Sequence, residues 1–190
     1  MNEVQLRADT RQWFAMRDLK RRNAKLPAYM MLKDMKIECF TPMVHQLVSN
    51  RGKREDREVP IMQDLLFVRE TRKRLDPIVE STPTLQYRYR IGMQHTPIII
   101  RDEEMERFKK AVESSKNPKY YRPDEITPDM HNKRIRIFGG QLDGYEGYLV
   151  TTRGSKVKRL LVELSTLLVA AVEVQPEYIQ IIEDCPRQQQ

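Results

Sequence analysis

Three histidines, His45, His95 and His131, and two cysteines, Cys39 and Cys185, are the side chains best suited to nucleophilic, acid–base or metal chemistry. Their placement supports none of it. The histidines lie in separate segments without a Ser, Cys or acidic partner pattern. The cysteines are 146 positions apart, and neither has a Cys or His at metal-ligand spacing. That excludes a zinc finger and a secreted disulfide framework, and fits a reducing cytoplasm. A glycine-rich phosphate loop and a paired-carboxylate site are also missing, and most of the seven glycines fall in turns after residue 138. The sequence therefore points away from an enzyme and asks for no cofactor and no metal.

The chemistry that remains is electrostatic. Lys and Arg number 34 against 27 Asp and Glu, a net charge of +7. Residues 1–60 hold 13 basic and 8 acidic side chains, whereas residues 131–190 hold 8 and 7. Two clusters account for the early surplus: Arg17, Lys20, Arg21, Arg22 and Lys25, and the run Arg51-Gly52-Lys53-Arg54. Clustered guanidinium and ammonium groups suit phosphate contact. The same residues could equally form a solvated turn and a charged edge guard on a hairpin.

The elements that must carry these residues follow from apolar spacing. Gln12 to Arg17 reads as a buried strand, and Ala24, Ala28, Met31, Leu32 and Met35 share one face of a helix expected over residues 23–35 with Asn23 as N-cap. Ile37 to Phe40 resumes a strand, and the polar stretch Asn50 to Glu58 reads as a long hairpin tip. Asp64 to Arg69 is a near-continuous apolar run typical of a central strand. Leu85, Tyr87, Tyr89 and Ile91 alternate with polar residues as in a half-exposed strand, and Pro97 to Ile100 leads into a helix with Asp102 as N-cap.

Three prolines, Pro118, Pro123 and Pro128, interrupt Ser114 to Asn132 and bar both a helix and a central strand. Two domains are expected, 10–115 and 131–188, joined by a semi-rigid linker at 116–130. The second domain carries five short strand signals separated by Gly139-Gly140, Asp143-Gly144 and Arg153-Gly154, the pattern of a small barrel. Its longest apolar run, Leu167 to Val172, is far short of the roughly 20 residues that span a bilayer. With Glu3, Asp9 and no apolar stretch, the N-terminus does not read as a signal peptide.

Trp13-Phe14, the helix after it, Cys39 to Met43 (CFTPM), Arg51 to Arg54 (RGKR) and Leu65 to Val68 (LLFV) resemble the N-terminal domain of NusG-type transcription elongation factors. CFTPM and RGKR, with PIIIRDEEMERF at Pro97 to Phe108, are similar to the specialised paralogues of the RfaH and UpxY type, the latter accompanying capsular polysaccharide operons. The pattern from Arg134 to Gly147 resembles a KOW motif.

The resemblance implies an α+β fold: an antiparallel sheet flanked by helices, then a small KOW β-barrel. It also implies an antitermination factor, monomeric, that binds the clamp helices of the RNA polymerase largest subunit and promotes readthrough of a specific operon. Carried over by position, the apolar contact strip falls on Ile61, Met62, Leu65, Phe67 and Ile91. Leu65 and Phe67 alternate with Leu66 and Val68, so one of the two pairs must face the core. The basic clusters become candidate contacts to non-template DNA, and the barrel a site for a ribosomal protein or termination factor. Gln63-Asp64 stands where the family commonly has Pro-Gly or Pro-Asn, and Arg17 where RfaH-like proteins have an aromatic. The competing reading is a KOW-containing RNA-binding or ribosome-associated module, which would concentrate basic residues in the barrel.

Overall fold

The computed structural model describes residues 9–20, 26–50, 53–62, 64–93, 95–130, 133–151 and 155–184. The chain divides into two compact units at Asp102–Glu103. The first is built on an antiparallel sheet in the order β2-β5-β1-β6, with β7 also paired to β1. Its strands are β1 (Gln12–Asp18), β2 (Glu38–Phe40), β5 (Leu66–Glu70), β6 (Leu85–Tyr87) and β7 (Ile99–Ile100). Strand β1 lies at the centre because Trp13, Phe14, Ala15 and Met16 are all buried, two on each face.

One face of this sheet packs on two helices, α1 (Ala28–Asp34) and α2 (Arg72–Ser81). Phe14, Met16, Leu66, Val68, Leu85 and Tyr87 from the strands close over Ala28, Leu32 and Leu75 from the helices. At roughly 25 cal/mol per Å², burying each large apolar side chain here stabilises by about 1.5–3 kcal/mol. Helix α1 starts later than its apolar spacing suggests, since Pro27 is its N-cap, with extended backbone at φ −65° and ψ 158°. Pro27 has no capping side chain, and the end of β1 supplies one instead: Asp18 Oδ2 accepts the Ala28 N–H at 2.6 Å. Asn23 lies outside the described residues.

Helix α2 was not expected. Its start is marked by Thr71, whose hydroxyl oxygen accepts the Arg74 N–H at 3.3 Å. Pro77 interrupts its interior, but Leu75, Ile78 and Val79 keep it on the core.

Residues 53–58, expected in a hairpin tip, are strand. Strands β3 (Met43–Asn50) and β4 (Lys53–Pro60) pair from Met43↔Pro60 to Asn50↔Lys53, forming a two-stranded ribbon about 26 Å long. Six consecutive charged residues, Lys53 to Glu58, lie on β4 without breaking the ladder, because residues 45–47 and 54–58 of the ribbon are exposed and no face there has to be buried. The expected strand 85–91 also ends early, at Tyr87.

In the second unit, helix α3 (Asp102–Glu113) precedes a six-stranded antiparallel sheet, in the order β13-β9-β10-β11-β12-β8. The five expected strands form as β9 (Lys133–Ile137), β10 (Glu146–Thr151), β11 (Lys158–Leu164), β12 (Leu168–Val174) and β13 (Ile179–Asp184). Asp102 is the first residue of α3, and its carboxylate accepts Arg69 Nη2 at 2.9 Å. Gly147 sits where β10 passes β11, and any Cβ there would collide with the Leu161 main-chain oxygen. The proline-rich segment adds a sixth strand, β8 (Lys119–Tyr121), at the sheet edge where Pro118 and Pro123 bound it. The fold is thus α+β, with antiparallel sheets throughout and a sheet-rich C-terminal region.

Candidate interaction surfaces of the first unit

Strand β1 is paired on one side by β5 and on the other by β6 and then β7. Between β6 and β7 the chain leaves the edge as a hairpin, residues 88–98. Its root is closed by Arg88 N–H to Ala15 O at 2.9 Å, Ala15 N–H to Ile98 O at 3.0 Å and Ile98 N–H to Arg88 O at 2.8 Å. Further out, Tyr89 bridges Pro97, and the Arg90 N–H reaches Thr96 O at 3.0 Å. Gly92 turns the tip at φ +78°, a conformation that costs glycine little.

The tip presents apolar surface to solvent. Ile91 is fully exposed, Met93 is 56% exposed and Tyr89 is 45% exposed, and the Tyr89 ring meets His95 edge-on at 5.8 Å. Isolated exposed apolar residues are ordinary, whereas here three are grouped on one short projection. Regular alternation in the sequence suggested a half-exposed strand running through Tyr89 to Ile91. The signal against that reading was Gly92, two residues after the last paired position.

The turn before β5 carries Ile61 and Met62, both half-buried. The Ile61 N–H donates to Pro42 O at 2.9 Å, which fixes the turn to the base of the β3–β4 ribbon. Arg88 connects this turn to the hairpin: its Nη2 donates to Asp64 O and to Asp64 Oδ2, each at 2.8 Å. Since β1 lies between β5 and β6, this side chain reaches from the β6 side of the central strand to the residue just before Leu65 on the β5 side. One ion pair thus ties the segment carrying Ile61 and Met62 to the segment carrying Ile91.

Leu65 and Phe67 are placed differently. Leu65 is 2% exposed and Phe67 is 0% exposed, with the Phe67 ring 6.3 Å from that of Phe40. They are core residues supporting the turn, so the candidate strip narrows to the half-buried Ile61 and Met62 and the exposed Ile91, with Tyr89 and Met93 added. The pair that faces the helices is Leu66 and Val68, so both pairs of the run Leu65 to Val68 are buried.

The basic residues fall into two places. Arg17 is exposed, opposite Gln86. Lys20 is already engaged, its Nζ donating to Leu26 O at 2.7 Å and its N–H to Asp18 Oδ1 at 3.0 Å. Arg21, Arg22 and Lys25 lie outside the described residues, as does Arg51. On the ribbon, Lys53 pairs with Asn50 and Arg54 with Ser49 at the distal end. Nearer the base the ribbon turns acidic. Glu55 binds Arg57 at 2.6 Å, and Asp56 lies 3.5 Å from His45 Nδ1. The ribbon thus carries Lys53 and Arg54 at its distal end and mixed charge nearer its base.

Titratable groups behind the surface serve packing. Burial, reinforced by the Asp76 carboxylate accepting its hydroxyl at 2.7 Å, holds the Tyr87 phenol far above its ordinary value. Burial also raises the Cys39 thiol, with Lys33 opposing and Glu38 adding to the effect. Among the described residues, no group of three or more His, Cys, Asp or Glu side chains could hold a metal ion. No helix there is long and apolar enough to cross a membrane.

Residues 11–109, just over half of the chain, match the family model described as transcription termination factor nusG. A solved structure described as "Domain interaction in Thermotoga maritima NusG" is 12% identical, covering 93% of this chain and 99% of that one, with a TM-score of 0.48. No curated protein matches the sequence.

Proposed function

Because the chain belongs to the NusG family of transcription factors, which work on RNA polymerase during elongation without catalysing a reaction, we propose that its first unit docks on the clamp helices of the polymerase largest subunit. Ile91, Met93 and Tyr89 on the projecting hairpin, with Ile61 and Met62 on the adjoining turn, are the contacts, and Leu65 and Phe67 hold that turn from beneath. The observation that carries this reading is the exposed apolar hairpin tip tied by Arg88 to the Met62 turn. Central apolar anchors on a rigid support are what a protein-binding surface requires. A clamp held in its closed state favours continued elongation, a population shift needing only differential affinity.

The distal end of the β3–β4 ribbon and the exposed Arg17 supply the contact to non-template DNA, with Lys53 and Arg54 nearest the ribbon's turn. Arg21, Arg22, Lys25 and Arg51 belong to the same proposal by sequence. The CFTPM and RGKR segments support a specialised role of the RfaH and UpxY type, acting in the cytoplasm on one operon such as a capsular polysaccharide locus. The second unit, read as a KOW barrel, recruits a ribosomal protein or a termination factor. The test is capture of purified RNA polymerase by the immobilised chain after nuclease treatment, followed by terminator readthrough in a purified transcription system. Retention of polymerase with increased readthrough supports the reading, and failure to retain polymerase contradicts it.

A further inference from the structure

The proline-rich segment between α3 and β9 does more than join them. Its first three residues pair with β12 as Lys119↔Ala171, Tyr120↔Ala170 and Tyr121↔Val169. The chain then makes two 3-10 turns, Pro123–Glu125 and Pro128–Met130, the first closed by Glu125 Oε2 accepting the Arg122 N–H at 2.7 Å. Tyr121, Ile126 and Met130 pack on a small apolar cluster, Leu161, Val169 and Ala171, on the opposite face of the sheet from Leu160, Ala170 and Val172. Residues 119–130 are therefore a strap that occupies a sheet edge and an apolar face at once.

The strap is weakly attached compared with what it covers. Three residues make its ladder, while β11 and β12 pair along seven. On this face its apolar anchors Tyr121, Ile126 and Met130 are each only partly buried, whereas Leu161, Val169 and Ala171 are fully buried; on the other face, opposite Ala170, Tyr120 is buried. Arg122, Pro123, Asp124, Glu125, Thr127 and Pro128 are exposed. A three-residue edge ladder, with anchors on one face partly open to solvent, defines a segment that opens locally before the sheet does. Pro123 and Pro128 limit the conformations open to the released strap, so reclosing costs little entropy.

We propose that residues 119–130 are a displaceable occupant of a strand-binding site, and that the vacated site takes an extended protein segment carrying an aromatic pair. Such a segment adds a strand along β12 and sets apolar side chains over Leu161, Val169 and Ala171, the β-augmentation mode in which main-chain bonds give affinity and side-chain pockets give selectivity. With seven residues in β12 and three paired to the strap, an incoming strand can make a longer ladder than the one it replaces. The inference does not depend on polymerase binding.

The experiment uses the full chain and, as probe, a synthetic peptide of the strap's own sequence, residues 119–130. In wild type, amide hydrogen exchange at Tyr120 and Tyr121 is expected at least tenfold faster than at Leu161 and Val162. The double variant Ile126→Ser/Met130→Ser, which loosens the strap, should bind the peptide at least tenfold more tightly than wild type. A Tyr121→Cys/Val169→Cys variant, oxidised to lock the strap, should bind none until reduced. Strap amides that exchange only together with β11 would overturn the proposal. So would a loosened variant that keeps its β11–β12 protection and does not bind the peptide. Loss of that protection in the loosened variant would show the strap to be part of the core, which also overturns it.

Discussion

Arg88 donates through one guanidinium nitrogen to both the main-chain oxygen and the carboxylate of Asp64, each at 2.8 Å, across the width of the central strand. This pairing links the two segments that carry the exposed apolar residues. Its side chain is 20% exposed and Asp64 is 45% exposed, so solvent screens part of the attraction. Arg88→Ala is expected to cost about 1–2 kcal/mol of stability, chiefly through the lost charge-assisted hydrogen bonds. Its effect on polymerase affinity should exceed that of a surface control outside the hairpin, such as Lys73→Ala on α2. Denaturant melts paired with a binding titration check both.

Asp18 is expected to act as the N-cap that Pro27 cannot provide. Asp18→Ala removes the acceptor of the Ala28 N–H and should destabilise the first unit by about 1 kcal/mol, whereas Asp18→Asn retains an acceptor and should cost less. Urea midpoints of the two variants give the comparison. Equal losses would assign the effect to charge rather than to capping.

Glu70 sets an acid limb to stability. Burial alone would raise its carboxyl, but the Thr71 N–H at 2.9 Å, Arg74 at 2.8 Å and Arg11 together hold it below the ordinary carboxylate value. A depressed folded value means the unfolded chain takes up the proton first. Glu70 therefore contributes stability above pH 4.5, the unperturbed value, and loses it as pH falls through the folded value. Glu70→Gln should flatten stability over that acid window and leave its slope near neutral pH unchanged, as read by thermal melts across pH.

Gly147 is expected to tolerate no side chain, since a Cβ meets the Leu161 oxygen, a main-chain atom that can yield only by parting β10 from β11. Gly147→Ala should destabilise the second unit by about 1–3 kcal/mol, the range for overpacking. The first unit's melting should be unaffected, which nuclear magnetic resonance of the full chain can resolve.

Much of this architecture was readable from residue spacing, and the misses share a physical cause. Continuous apolar runs identified β1 and β5, and turn glycines with alternating strands identified β9 to β13. Helix α2 escaped because Pro77 lies inside it, and packing of Leu75, Ile78 and Val79 outweighed that penalty. The start of α1 was misplaced because its cap comes from Asp18, ten residues earlier, which no local pattern reveals. The ribbon read as a loop because a free two-stranded arm has no buried face to impose alternation. Strand spacing could place Phe67 on β5 and Leu65 just before it but not say which face was covered, and both faces are. Nor could it foresee Arg88 joining the Met62 turn to the Ile91 hairpin, since that link depends on strand order.

The most direct test of the polymerase-docking account is the affinity of purified RNA polymerase for Ile91→Asp, measured beside the wild type and a folded-state control. Ile91 is fully exposed, so the substitution should leave the denaturation midpoint unchanged. A charge placed in a desolvated apolar contact should weaken binding by about 2 kcal/mol or more, roughly thirtyfold. Met62→Asp, on the turn tied to the same hairpin, should weaken it in the same direction. Unchanged polymerase affinity in a normally folded Ile91→Asp chain would contradict the account and remove the projecting hairpin from the interface.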